Sequence, residues 1–260
     1  MPLSTISNGA SSATARANIN AVITGLNNAS VPKVIYVTTA GNDTTGDGTL
    51  AKPFLTAQQG FNAGQSAAQP FMLNLGIGSF SITNSAGSEY LKAVQGQSEL
   101  LTSLQFTASA AAVTNDNGGN GGNIILGISD ITCACYAVGG NVTITDENNY
   151  SGGDGGGIVL SGHGRFEAYA SGGSVSSSGS DTGGAGGDIT LSGSLKLIDG
   201  ALGAAGGSAT NSGADGTILA DGCDLRGPTS ISGYTTIGRC SITSGFTPNE
   251  DKGGNATYAA

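Results

Sequence analysis

Tryptophan is absent from the 260 residues, histidine occurs once (His163), and only 10% of residues are charged. Average globular domains carry about 25%. Nine Lys and Arg stand against eighteen Asp and Glu, a net charge of −9. The cations are scattered singly, whereas a phosphate-binding surface needs them clustered. Nucleic acid is therefore not an expected partner, and neither is an anionic membrane surface. No apolar run approaches the ~18 residues of a spanning helix, so no membrane insertion is expected. The opening Met1-Pro2-Leu3-Ser4-Thr5 has neither the basic nor the apolar region of a signal peptide, so assembly in the cytoplasm of the producing cell is expected. The four cysteines do not form a Cys-x-x-Cys pair. Cys133 and Cys135 alternate onto one face of a strand and read as small apolar core fillers.

What is abundant is glycine, at 46 residues, well over twice the roughly 7% of an average protein. The glycines lack a strict collagen period, and 38% of the chain is hydrophobic, too much for a disordered polyampholyte. Short strands with many close corners fit these proportions.

Three zones follow along the chain. In residues 10–27, Ile19, Val22, Ile23 and Leu26 fall on one helical face, with Ser11 or Ser12 as N-cap. So short an amphipathic helix needs a partner surface. In residues 34–64, Val34–Val37 predicts a strand, Gly41-Asn42-Asp43 and Gly46-Asp47-Gly48 predict turns, and Thr56 caps a helix that runs through Phe61 and stops at Gly64.

The third zone repeats a glycine corner followed by an apolar triplet, first at Gly122 to Leu126, then Gly140 to Ile144 and Gly156 to Leu160. Further copies begin at Gly173, Gly187 and Gly207. The steps average 17 residues, and the stronger copies at Ile124, Ile158, Ile189 and Ile218 superimpose a period near 30–34. A triplet such as Ile189-Thr190-Leu191 buries almost nothing alone, but copies stacked about 4.8 Å apart form continuous ladders. This predicts an all-β chain folded as a parallel β-helix, or solenoid, with glycine at each corner for positive φ or for close backbone approach. Outward Ile125, Val159 and Leu219 predict a face covered by something else. Cys223 and Cys240, 17 apart, are expected on adjacent rungs about 5 Å apart, compatible with a disulfide but not requiring one. Cys133 and Cys223, 90 apart, are expected five rungs away from each other, ~24 Å, which excludes a four-cysteine zinc site.

Residues 36–63 resemble the opening of right-handed parallel β-helix proteins of the pectate-lyase-like class. The resemblance rests on Tyr36-Val37, Gly41-Asn42-Asp43, Gly48-Thr49, Lys52-Pro53-Phe54-x-Thr56 and Ala63, with Gly60 and Gly64 replacing the alanines usual in that class's capping helix. The class contains lyases, glycosidases and non-enzymatic virion and surface proteins, so the likeness implies fold rather than activity. Ser12 to Asn20 is similar to helical segments near the N-termini of bacteriophage tail and fibre proteins.

A glycosidase needs two carboxyls about 5–9 Å apart. The best candidate is Glu167, with Arg165 and His163 nearby and Lys196 or Asp199 on a later rung, though an ion pair is the commoner role and no aromatic platform for sugar stands out. Gly183 to Leu191 and Gly118 to Leu126 approach the calcium β-roll nonapeptide, but neither repeats at nine residues, so no metal or cofactor site is expected. The glycine tracts also admit bundled polyglycine-II helices, known in some phage fibre-tip adhesins. The apolar triplets favour strands.

The expected organisation is a helical attachment segment at 1–30, a strand plus capping helix at 31–70, a glycine-rich β-solenoid at 71–245 and a tail at 246–260. The expected function is a non-enzymatic virion structural protein of a bacteriophage: tail fibre, spike or decoration protein. It would form a homotrimer, join other virion proteins through the N-terminal segment, and contact host-surface polysaccharide. A polysaccharide-degrading β-helix enzyme and a bacterial surface adhesin are the alternatives.

Overall fold

The computed structural model of the chain describes residues 32–145, 148–176, 181–225, 231–232, 234–238, 240–243, 250–251 and 257–259, at 198–201 and at most positions after 230 by their backbone alone. The helix expected in residues 10–27 lies outside them.

The chain is a parallel β-solenoid. One wall stacks β1 (Lys33–Val37), β2 (Phe71–Leu75), β4 (Leu91–Gln95), β7 (Ile124–Tyr136), β9 (Ile158–Tyr169), β11 (Ile189–Gly203), β12 (Thr217–Asp221), β15 (Tyr234–Ile237) and β17 (Glu250–Asp251) in that order. A second wall stacks β3 (Gly78–Thr83), β5 (Thr102–Thr107) and the C-terminal halves of β7, β9 and β11. It continues through β13 (Asp224–Leu225), β14 (Ile231–Ser232), β16 (Ser241–Thr243) and β18 (Thr257–Ala259). Every pairing between these strands is parallel.

Alternation decides what is inside. Ile124, Ile158, Ile189 and Ile218 stack in register, as do Leu126, Leu160, Leu191 and Ala220, and all are buried. Cys133, Phe166 and Leu197 form a corresponding ladder on the second wall. Each middle coil bends between its two walls at residues with left-handed φ: Asp130 (+53°), Gly162 (+107°), Gly164 (+151°) and Gly193 (+98°).

The first coil is closed by α1 (Ala57–Ser66), whose N-cap Thr56 accepts a hydrogen bond from the Gln59 amide at 3.2 Å. The helix runs through Gly64 rather than stopping there. A Cβ at Gly64 would lie 2.5 Å from the Phe71 ring, and one at Gly60 would lie 2.9 Å from Val37. These two glycines let the helix lie directly on the strands, with Phe61 set edge-on to Phe71 and Phe106. The Gly-Asn-Asp turn serves the same end. Asp43 Oδ1 accepts from the Leu55 and Thr56 amides and Oδ2 from the Thr56 hydroxyl, which ties the turn to the helix start.

The true period is the longer of the two read from sequence. Ile124, Ile158, Ile189 and Ile218 mark successive coils, whereas the intervening copies at Val142 and Val175 belong to a separate small sheet of β6 (Val113–Thr114), β8 (Val142–Thr143) and β10 (Val175–Ser176). Only from Ile218 onward does the coil shorten to 17 residues, Ile218 pairing with Thr235. Asp224 pairs with Ser241, so Cys223 and Cys240 stack on adjacent coils as expected. The Ser241 amide donates to the Cys223 carbonyl at 3.0 Å, and all four cysteines are free buried thiols. Cys133 and Cys223 are separated by three coils rather than five, ~14 Å at the strand spacing, because the middle coils are longer than 17 residues.

Candidate functional site

Between the second wall and the small sheet, each middle coil makes an excursion out and back through its glycine tracts. The outgoing tracts are 108–112, 137–141, 170–174 and 204–208; the returning ones are 117–123, 151–157, 182–188 and 211–216. Neither set forms strands. Within the returning set the hydrogen bonds repeat every three residues. Gly152, Gly155 and Ile158 donate to the Thr182, Ala185 and Asp188 carbonyls of the next coil. Gly153 and Gly156 donate across to Gly140 and Ala137 of the outgoing layer. The amides of Ser151, Asp154 and Gly157 donate to the side-chain oxygens of Asn117, Asn120 and Asn123 on the preceding coil.

In residues 151–157 the pattern has three residues per turn, with every amide donating outward and none within the tract, which is the polyproline-II type of helix. Its three faces meet three different neighbours. Glycine is required because backbone occupies the place of a side chain: a Cβ at Gly153 would lie 1.9 Å from the Gly119 oxygen, and one at Gly139 would lie 1.8 Å from the Gly153 oxygen. The left-handed glycines of the described residues all lie outside the tracts, so close approach, not positive φ, is what these tracts need. Apolar triplets in strands and threefold glycine helices therefore coexist, in adjacent parts of one coil.

The polar side chains singled out from sequence hold coils together. Asn123 and Asp188, the calcium-like positions, accept the Gly157 amide and the Thr217 amide and hydroxyl respectively. Those Thr217 hydrogen bonds hold the Asp188 carboxyl below its ordinary value. Asp154 accepts the Ala185 amide of the next coil, whereas Asp215 accepts the Gly206 amide within its own coil and ties the outgoing tract to the returning one. Among the described residues no group of three His, Cys, Asp or Glu side chains converges as a metal site would require.

Glu167, Arg165 and His163 do not converge. Glu167 accepts a hydrogen bond from the Tyr136 hydroxyl at 3.3 Å. Arg165 faces Lys196 in the next coil, and the Lys196 ammonium lies 4.0 Å from Glu99. The Asp199 side chain lies outside the described residues. His163 sits at the bend, its Nε2 3.0 Å from Asp130 and 3.4 Å from the Ser129 hydroxyl. This Ser, His and Asp trio is not a nucleophilic triad. Both partners meet the same ring nitrogen, and Ser129 donates directly to Asp130, whereas a triad needs them on opposite nitrogens. The hydrogen bond from His163, then that from Ser129, holds the Asp130 carboxyl below its ordinary value.

No family model, curated protein or solved structure matches this chain.

One feature was not expected from sequence. Thr107, Tyr136, Tyr169 and Gly203 form one outward row of the second wall. The two tyrosine rings stack at 5.3 Å and 6°, and both are half-buried. Burial, then the Glu167 carboxylate, pushes the Tyr136 phenol up. Their separation of 33 residues, nearly that of Ile124 and Ile158, is the signal that could have revealed them.

Proposed function

We propose that this chain is a structural component of a bacteriophage virion, of the fibre, spike or decoration kind, that contacts host-surface glycan or neighbouring subunits. The observation that carries the proposal is the cross-bonded bundle of threefold glycine helices joined to a solenoid. Bundled polyglycine-II helices are a feature of some phage fibre-tip adhesins, and the likeness supports the same task here. The bundle is rigid by construction: its packing depends on backbone meeting backbone, and its polar side chains bridge coils. Such a body presents surface rather than moving parts. The exposed row of Ile125 (54% exposed), Val159 and Leu219, with Thr190 in register between the last two, supports association into a homotrimer, since a largely apolar strip on a stacked sheet favours cover by further protein.

The test uses the full chain carrying a fluorescent label, mixed with a panel of bacterial strains before and after periodate oxidation of their surface glycans. Binding to some strains, lost on oxidation, is the expected result. An antibody against the chain should also decorate purified phage particles. Strains that never bind and particles that never label would overturn the proposal. Release of reducing ends from host polysaccharide, abolished by Glu167→Gln, would replace it with a polysaccharide-degrading enzyme.

A further inference from the structure

The tyrosine ladder is incomplete. Tyr136 is covered on one face by Tyr169, but the preceding coil places Thr107 where a third ring would continue the stack. The short threonine leaves a shallow cavity of about 340 Å³ against Tyr136, bordered by Gln105, Thr107, Ser109, Val138 and Asn141. That is the low end of the ~300–1,000 Å³ range of small-molecule sites. The Tyr136 ring is held at two points, by the Tyr169 stack and by its hydroxyl bond to Glu167. Asn141 spends its Oδ1 on the Ser174 amide, which aims its two amide N–H donors elsewhere. No charged side chain lines the cavity.

These features specify a ligand. A flat aromatic face takes a ring with an apolar face of C–H bonds, side-chain amides and hydroxyls take hydroxyls at that ring's edge, and an uncharged lining takes an uncharged guest. We propose that this groove binds one neutral pyranose unit of a glycan, stacked on Tyr136 as the next ring of the ladder. The proposal rests on the glycan-contacting function above and names where the contact is made. Glu167 is a positioning residue here, orienting Tyr136 without touching the sugar.

Two variants of the full chain act on the groove from opposite directions. Tyr136→Ala removes the platform, and Thr107→Tyr fills the vacancy with the protein's own third ring. Saturation-transfer NMR with maltose, cellobiose, lactose and N,N′-diacetylchitobiose at millimolar concentration measures binding, and the thermal midpoint of each variant reports its fold. At least one disaccharide should bind the parent chain. Affinity should fall roughly tenfold or more in Tyr136→Ala and be lost in Thr107→Tyr, whose outward, half-exposed position leaves the fold intact. Glu167→Gln, which can still engage the phenol, should weaken binding less than Glu167→Ala. No binding by the parent chain, or undiminished binding by Thr107→Tyr, would overturn the groove. The strain-panel assay separates the two proposals. Cell binding that survives Thr107→Tyr sinks the groove alone, and disaccharide binding by a chain that binds no strain sinks only the virion reading. Cell binding that depends on the groove but survives periodate would assign it to a protein partner and overturn the saccharide.

Discussion

At Gly153 a methyl group would lie 1.9 Å from the Gly119 carbonyl oxygen, whereas at Gly119 it would meet only the Ala110 methyl at 3.4 Å. The two glycines belong to the same bundle and read alike in sequence, yet one faces backbone and the other ordinary van der Waals space. Gly153→Ala should therefore cost about 3 kcal/mol or more, through overpacking and the loss of the bond to Gly140. Gly119→Ala should cost less than ~1 kcal/mol, and urea denaturation of both variants checks the contrast. Asp188 supplies a prediction in pH. Its folded pKa is depressed by the Thr217 hydrogen bonds, so its contribution is complete above the unfolded value of about 3.9 and is lost as pH falls through the folded one. Asp188→Asn keeps an acceptor for the Thr217 amide but cannot be protonated. The acid limb of its stability curve should be shallower than that of the parent chain, and denaturation midpoints between pH 5 and pH 2 would expose an identical limb.

Among elements, α1 shows how much sequence can carry and where it stops. Thr56 as N-cap is local chemistry, readable from a threonine three residues before the amide it accepts, and the structure places it there. Thr56→Ala should cost about 1 kcal/mol, with Thr56→Ser recovering most of it in the same melt. Gly64 reads as a stop in the sequence but lies inside the helix, because glycine has two uses. Its conformational freedom is a local property, but its lack of a side chain matters only against Phe71, a neighbour in space on the next strand. The glycine tracts repeat that lesson. Asn117, Asn120 and Asn123 display the three-residue period openly, but the amides they accept lie 34 residues away, beyond any local window. Alternating apolar triplets were legible because strand burial has a period of two whatever the partner. The 17-residue step misled because outgoing and returning halves of one coil both carry a glycine corner and an apolar pair. Tyr136 and Tyr169 were missed for the converse reason: two residues make a ladder only once the coil length is known.

For the whole molecule, the outward row of Ile125, Val159, Thr190 and Leu219 crosses four coils in register. Light scattering of the recombinant chain should give three times 25.3 kDa, and Val159→Lys with Leu219→Lys should reduce it to one. A parent chain that stays monomeric at tens of micromolar would rule out self-association through this face. A different consequence attaches to the way one coil meets the next. The backbone bonds from residues 152, 155 and 158 to residues 182, 185 and 188 match those from 118, 121 and 124 to 151, 154 and 157, and Ile158 lies in register with both Ile124 and Ile189. Excising residues 158–188 would leave Gly157 joined to Ile189, with each severed surface meeting a near copy of the one it lost. Length in such a chain is a quantity that can be inherited by whole units, so unequal recombination between neighbouring coils would yield shorter and longer versions that still close, without a new fold having to be found.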